Sequence, residues 1–354
     1  METNQIENVL KQVYLGVLRN QLNNSNPFFT KVKRSSSFVY GNKIALVKSC
    51  GIDNYQSYIS ELATNLYSIK ISDKVVRACS NGNSSVLVNL LNDQCEGVLK
   101  VAKRDLTRQL LSDGSGVITK IVNTTEDGEL VVEDCYKLYI GQYIKIRNKE
   151  GDIPITECII NINYAASTIR TLTKFKNNLK DYIIYSPNAD LLGLKYLFSN
   201  DRYMEVERRN YIDKPQYSKC KISELYSKIS ELSDELGTNL VLCSPEVKRE
   251  LTQYLVEHNQ NCETVKVGEY TALSINGVPV CALGEMRGQD KNKIYALNTE
   301  EFEWQELCDW LWLDEDGKIL RQVINKPEYE ATLVKHSQII CKDLSKQEEI
   351  TVSN

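Results

Sequence analysis

The chain has 354 residues, with 43 Lys and Arg against 47 Asp and Glu, a formal net charge of −4, and 42% hydrophobic and 25% charged residues. At this length two or three domains are expected, and no run of about 18 apolar residues is present to form a membrane-spanning helix. Eleven cysteines scattered without a C-x-x-C and only two histidines, His258 and His336, argue against a disulfide framework, a structural zinc site or a histidine-based catalytic centre, so no metal or cofactor is expected.

Residues 5–24 place Ile6, Val9, Leu10, Val13, Leu15, Val17, Leu18 and Leu22 at helical spacing, and Asn23-Asn24-Ser25-Asn26-Pro27 then breaks the helix. A short helix followed by an extended arm is expected. Glu2, Glu7, Lys11 and Arg19 run through this only early apolar stretch, unlike a secretory signal, and a cytoplasmic location is expected. Residues 1–50 carry seven Lys and Arg against two Glu, a charge of +5, which leaves −9 on the remainder. A basic arm on an acidic body suits nucleic acid or the acidic surface of a second copy; a merely solvated tail is the plain alternative.

Val39, Ile44, Leu46 and Val47 suggest one strand within Phe38–Cys50, and Leu66, Ile69, Ile71, Val75 and Val76 another within Leu66–Cys79. Gly51–Asn65 lies between them, with Tyr55 and Tyr58 but few core anchors. A hairpin reaching out in this way is marginally stable alone and gains order by packing on another molecule.

Ser84–Ser112 is the longest periodic stretch. Leu87, Leu91, Cys95, Val98, Ala102, Leu106 and Leu110 mark one helical face, and Lys100, Lys103, Arg104 and Arg108 crowd the C-terminal half where the macrodipole favours cations. The rod would be about 43 Å long. Asp113-Gly114-Ser115-Gly116 closes it as a stop and turn. As a phosphate cradle it fails, because it follows a helix instead of preceding one.

Val117–Val122 reads as a strand of its own, and Leu130–Glu133, Tyr143–Arg147, Glu157–Ile162, Thr168–Leu172 and Asp181–Tyr185 then recur with turn signals between them, which predicts a small antiparallel barrel or sandwich inserted after the helix. After a loop-rich connection and the charged Arg202–Tyr211 stretch, Ile222–Leu236 reads as a helix and Asn239–Cys243 as an apolar strand. Ser244-Pro245 caps a helix running to about His258. The hairpin Ser274–Val280 has Asn276-Gly277 suited to a type I′ turn, and Lys293–Leu297 adds a strand, so a second, mixed α/β domain is expected. Trp310–Leu313 and Ile319–Val323 are read as a final pair around Asp314-Glu315-Asp316-Gly317, and Ser345–Asn354 as a polar tail.

Four groups are weighed for chemistry. Cys243 stands at a strand-to-helix junction where a helix N-terminus could activate a thiolate, but no base is identifiable and a buried thiol is the plain reading. Glu300, Glu301, Glu303 and Glu306 could supply a carboxylate pair, yet no partner histidine accompanies them, and a charged surface is the alternative. Asp314–Gly317 lacks the alternating ligands of a calcium loop and reads as a turn. Lys31-Val32-Lys33-Arg34 beside Phe28 and Phe29 is too short for a nucleic-acid module and suits contact with a neighbouring subunit.

Several stretches taken in order resemble the major capsid proteins of tailed bacteriophages. They are Asn26-Pro27-Phe28-Phe29 with Lys33-Arg34-Ser35-Ser36, Asn65-Leu66-Tyr67-Ser68-Ile69, and Ala102–Leu110 running into Asp113–Gly116. Ile275–Val280, Ile294–Asn298 and Leu313–Arg321 extend the likeness toward the C-terminus. The resemblance implies an α+β fold of the Hong Kong 97 type, with an N-terminal arm, an extended β-hairpin loop, a long spine helix, a small β insertion and a mixed α/β axial domain. It divides the chain into an arm at 1–37, an extended loop at 38–79, the spine helix and peripheral domain at 80–127 and an insertion at 128–185. A connection at 186–221, an axial domain at 222–297 and a return to the peripheral domain with a C-terminal tail at 298–354 complete it.

The function so implied is that of a non-enzymatic subunit that self-assembles into hexamers and pentamers of an icosahedral virion capsid, built in the host cytoplasm and enclosing double-stranded DNA without sequence specificity. Scaffold, portal and decoration proteins are the further partners it implies, and no membrane is involved. Lys31, Lys33 and Arg34 of the arm and Lys48, Tyr55 and Tyr58 of the loop are the candidate assembly residues. The alternatives are an encapsulin-like compartment of the same fold and, in another class, an enzyme using Cys243 or the Glu300–Glu306 cluster.

Overall fold

The computed structural model describes residues 2–36, 43–48, 55–60, 62–80, 84–148, 154–188, 190–199, 202–203, 206–207, 215–258, 262–314 and 316–353. The chain opens with α1 (Glu2–Val9), a π-helical turn (Leu10–Tyr14) and α2 (Leu15–Asn23), then α3 (Pro27–Lys31) and β1 (Lys33–Ser35). β2 (Lys43–Lys48), β3 (Tyr55–Ser60), β4 (Ala63–Ser72), α4 (Asp73–Ser80) and the spine helix α5 (Ser84–Leu110) follow. Next come β5 (Val117–Thr124), β6 (Leu130–Val132), β7 (Tyr143–Arg147), β8 (Ile155–Asn163), β9 (Thr168–Thr171) and β10 (Ile183–Tyr185). The connection holds α6 (Leu194–Ser199) and the two-residue strands β11 (Arg202–Tyr203) and β12 (Val206–Glu207). β13 (Gln216–Cys220), α7 (Ile222–Leu236), β14 (Leu240–Cys243), α8 (Pro245–Glu257), β15 (Glu263–Val267), β16 (Tyr270–Ile275), β17 (Val278–Ala282) and β18 (Lys293–Leu297) lead to β19 (Phe302–Trp312). β20 (Arg321–Gln322), β21 (Glu328–Cys341) and β22 (Glu348–Val352) end the chain.

Three hydrophobic cores organise these elements. The seven-stranded sheet, in the order β13-β22-β18-β14-β17-β16-β15, lies between two of them. Strand alternation sends Leu240 and Leu242 of β14 into the first core and Val241 and Cys243 into the second, which is why all four positions are apolar and buried. α7 and α8 cover the second face through Leu225, Ile229, Leu232, Val247, Leu251 and Leu255. Ser244 caps α8 by accepting the Val247 amide (3.2 Å), and Asn276 and Gly277 take positive φ in the β16–β17 turn, as the sequence predicts.

The largest core lies under the sheet of β1, β19, β21, β20 and β4. There β1 runs parallel to β19, β19 is antiparallel to β21, and β4 borders the opposite side of β21. α5 packs its Leu91, Cys95, Ala102, Leu106 and Leu110 into this core. Gly193 makes a tight crossing possible at the end of α5, since a Cβ there would stand 2.3 Å from the Gln109 carbonyl and 2.5 Å from that of Leu110. The third core is the closed barrel β10-β5-β6-β9-β8-β7, filled by Ile121, Leu130, Ile144, Ile146, Ile159, Ile169 and Ile184.

Five expectations are corrected. The segment after Asn26 is no extended arm: Asn26 accepts the Phe29 amide (3.0 Å), Pro27 starts α3, and Phe28 and Phe29 are wedged against Phe302 and Trp304. The hairpin is β2 with β3, in register Lys43↔Ser60 to Lys48↔Tyr55, whereas the strand beginning near Leu66 is β4 of the body sheet. β5 belongs to the barrel, which therefore begins at Val117 and not at residue 128. Trp310–Leu313 and Ile319–Val323 do not pair together; β19 and β20 both pair with β21. The supposed polar tail contains β22, hydrogen-bonded between β13 and β18 in the axial sheet. Phe38 and Val39, the Gly151-Asp152 turn and most of Arg202–Tyr211 lie outside the described residues.

Candidate assembly surfaces

The β2–β3 hairpin forms a two-stranded sheet, and among the described residues no third strand joins it. Lys48 and Tyr55 are cross-strand partners at its distal end, and Tyr58 pairs with Ala45. The candidate loop residues thus occupy one ladder of six residue pairs that precedes β4 in the chain.

The basic residues of the N-terminal segment are placed differently. Lys31 donates to the Asn239 carbonyl (2.7 Å), and burial lowers its pKa. Arg34 approaches Asp309 (3.4 Å) and Glu306 (3.8 Å) of β19, while Lys33 is exposed on β1. Behind Arg34 stands a lysine that the sequence reading passed over. Lys335 of β21 is fully buried, with Nζ 2.6 Å from Glu306, 3.6 Å from Asp309 and 2.9 Å from the Asn23 side-chain oxygen. Its ammonium also lies 3.8 Å from the centre of the Trp304 ring, a cation–π contact in a desolvated setting. Burial pulls the Lys335 pKa down, and the Glu306 charge opposes that only in part. Two cations and two carboxylates therefore pin the N-terminal helix to the sheet of β19 and β21, with Asn23 donating to Asp309 (2.9 Å).

A second buried network joins three parts of the fold. Arg108 of α5 donates to both oxygens of Asp190 (2.7 Å each), to Asp105 (2.8 and 3.0 Å) and to Ser186 (3.1 Å). Asp105 also accepts from Tyr67 of β4 (2.8 Å), Gln109 (2.9 Å) and Asn188 (3.3 Å). Burial favours the neutral form of Asp105, but Arg108 and these donors outweigh it and hold the carboxyl below its usual value. Strand β4, the spine helix and the segment leaving the barrel thus meet at one charged knot whose Arg108, Asp105 and Asp190 are buried.

The groups considered for chemistry have structural duties. Cys243 is fully buried, donates to the Cys281 carbonyl (3.7 Å) and has its pKa pushed up to about 12 by burial, so it is a thiol near neutrality. Glu301 pairs with Lys346, Glu303 with Lys342, and Glu306 with Lys335. Asp314 and the Gly317 carbonyl both receive Lys11 (3.0 Å each), which ties that turn to the N-terminal helix. Asp113 accepts from the Ser115 amide and hydroxyl, with Gly114 and Gly116 at positive φ, a helix stop as predicted. Among the described residues no helix is long and apolar enough to cross a membrane.

No protein-family model matches the sequence, and no curated protein does either. Solved structures of similar chain path include the holo-SrpI encapsulin of Synechococcus elongatus PCC 7942, at 10% identity over 94% of this chain and 89% of that one, with a TM-score of 0.49. The capsid of cyanophage A-1(L) is similar at 9% identity over 93% of both chains, TM-score 0.47, and the capsid of the native GTA particle at 10% over 93% and 90%, TM-score 0.43. At such identities these likenesses concern the fold alone.

Lys335 and Asp190 escaped the sequence reading for definable reasons. Ala331, Leu333, Ser337, Ile339 and Cys341 alternate as the inward face of β21, and Lys335 falls in phase with them. A lysine in phase with an apolar stripe is the signal for a buried ion pair. Asp190 has no local signal, because its partner is 82 residues away.

Proposed function

We propose that this chain is a structural subunit that assembles with copies of itself into hexamers and pentamers of an icosahedral shell, the head of a tailed phage enclosing double-stranded DNA, and that it carries no catalytic residue. The observation that carries this reading is the β2–β3 hairpin, a two-stranded ladder that no third strand joins among the described residues. Such a ladder is at best marginal in water, and a neighbouring subunit supplies the apolar contacts that would order it. In this reading the hairpin is the extended loop, α5 the spine of a peripheral domain, and the seven-stranded sheet the axial domain. The buried Arg108 knot and the Lys335 cluster make the rest of the subunit a stiff body onto which a neighbour can dock.

Purified protein imaged by negative-stain electron microscopy tests the reading. Closed isometric particles are expected, and particles recovered from infected or DNA-packaging cells should contain nuclease-protected double-stranded DNA. Closed particles that hold a protein cargo and no DNA would instead favour a compartment shell, and a monomer with catalytic turnover would overturn the structural role.

A further inference from the structure

Asn23 ends α2, Lys335 stands in the middle of β21, and Glu306 and Asp309 lie on β19, so the fold collects at one point four side chains from opposite ends of the chain. Asn23 and Lys335 are 312 residues apart in sequence, yet the lysine Nζ lies 2.9 Å from the Asn23 carboxamide oxygen. Asn23 and Glu306 are each 7% exposed, and Lys335 not at all.

These positions hold the parts of an aminolysis. A primary amine attacks a carboxamide when it is uncharged, desolvated and held against the carbonyl, and when a neighbouring group takes its proton. Burial against Trp304 and Trp310 disfavours the charged form of Lys335 and lowers its pKa. Glu306, 2.6 Å from Nζ, stands where it can take the proton. Asp309 accepts from the Asn23 Nδ2 (2.9 Å), which fixes the carboxamide plane and turns its oxygen toward the lysine. The Asp309 side chain is 33% exposed, so a departing nitrogen has a way to solvent beside it. Arg34, 3.8 Å from Glu306 and 3.4 Å from Asp309, keeps positive charge beside both carboxylates once the lysine has lost its own.

We propose that Lys335 and Asn23 of the same subunit become joined by an isopeptide bond, a modification that fastens the N-terminal helix covalently to β21. Glu306 takes one proton from the Lys335 ammonium, and Nζ, with its electron pair freed, bonds to the Asn23 Cγ. A second proton leaves Nζ as the Cγ–Nδ2 bond breaks; that bond's electron pair goes to Nδ2, and both protons depart with it as an ammonium ion. An ammonium and a carboxamide have become a secondary amide and an ammonium ion, Glu306 is a carboxylate again, and nothing is oxidised or reduced. The ion-paired cluster is the state before this reaction, and Glu306 acts once on its own chain without turning over a substrate. The bond needs no neighbouring copy, so it stands apart from the shell reading. It closes a covalent loop over most of the chain, the kind of constraint that most restricts the unfolded state.

Intact mass of the full chain, incubated after purification at mildly alkaline pH and then denatured, tests this. Wild-type protein should come to lie one ammonia, about 17 Da, below its sequence mass. Tryptic digestion of the single-subunit band from a denaturing gel should release one branched peptide joining the segment with residue 23 to the segment with residue 335. Glu306→Gln should slow its appearance by about a hundredfold. Asn23→Ala, which leaves the lysine and both carboxylates in place, should keep its full sequence mass. Wild-type protein that holds its sequence mass throughout, a mass loss without the branched peptide, or the same loss in Asn23→Ala would overturn the proposal. Wild-type rates in Glu306→Gln would overturn the proton transfer assigned to Glu306.

Discussion

Arg108 and Asp190 face each other through two hydrogen bonds of 2.7 Å, with side-chain exposures of 3% and 0%. A bidentate pair this deep positions the segment that leaves the barrel against the C-terminal end of the spine helix. Its energetic weight lies chiefly in what breaking it leaves behind. Asp190→Ala strands a guanidinium with one carboxylate for company and should cost about 3–5 kcal/mol. Urea unfolding of assembly-incompetent subunits measures this; a loss under about 1 kcal/mol would mean that water reaches Arg108 freely.

Lys335 gives a complementary case. Lys335→Met leaves Glu306 buried beside Asp309 and should destabilise the subunit by about 3–5 kcal/mol. The double change Lys335→Met with Glu306→Gln removes the stranded charge, and most of the loss should be recovered. Tryptophan fluorescence during unfolding reports the event locally, since Trp304 and Trp310 flank the ammonium.

Acid should loosen both clusters. Burial tends to raise the pKa of Asp105 and of Asp309, but Arg108 at the first, and the Asn23 hydrogen bond with Lys335 at the second, hold them below the ordinary 3.8. A carboxyl whose folded pKa is depressed contributes stability above its unfolded pKa and loses it as pH falls through the folded value. Asp134 and Glu285 have the opposite sign, because burial raises them, and they favour the folded state as they take up protons. The unfolding free energy should therefore fall below about pH 4, after any gain from those two groups is complete. Stability that keeps rising to pH 2 would contradict the assignment of Asp105 and Asp309 as ionised partners.

Two glycines make a controlled pair. Gly193→Ala drives a Cβ into three carbonyl oxygens at 2.3, 2.5 and 2.7 Å, backbone that can move only by displacing the end of α5. A loss of about 1–3 kcal/mol or more is expected. Gly16→Ala in α2 meets nothing within 4 Å and should gain roughly 0.5–1 kcal/mol from helix propensity. Melting temperatures of the two variants should move in opposite directions.

What the sequence discloses depends on whether a residue's environment is local. The spine helix, α7, α8, the Asn276-Gly277 turn and the five barrel strands after β5 are legible because their spacing and caps lie within a few residues, whereas β5 reads as a strand but joins the barrel through β10, about 60 residues on. The hairpin is misplaced because Leu66–Ile71 alternates more strongly than Tyr55–Ser60, although the former is a body strand and the latter the hairpin. β21 is hidden by Lys335-His336-Ser337-Gln338, four polar residues inside the longest strand, and β22 by Glu348 and Glu349. Both glutamates are buried and compensated from afar, Glu348 by Ser218 and Lys228, Glu349 by Lys293. Of the candidate assembly residues, Lys31 and Arg34 look in a one-dimensional reading like free cations of an arm; the fold brings them to Asn239, Glu306 and Asp309, between 200 and 300 residues away.

Sedimentation velocity of the full chain beside a variant in which Lys43–Ser60 is replaced by a short glycine-serine link is the most direct test of the central claim. The full chain should sediment as closed particles, and the variant as small species with unchanged far-ultraviolet circular dichroism. Particles formed equally well without the hairpin, or a full chain that remains a single subunit at every concentration, would contradict it.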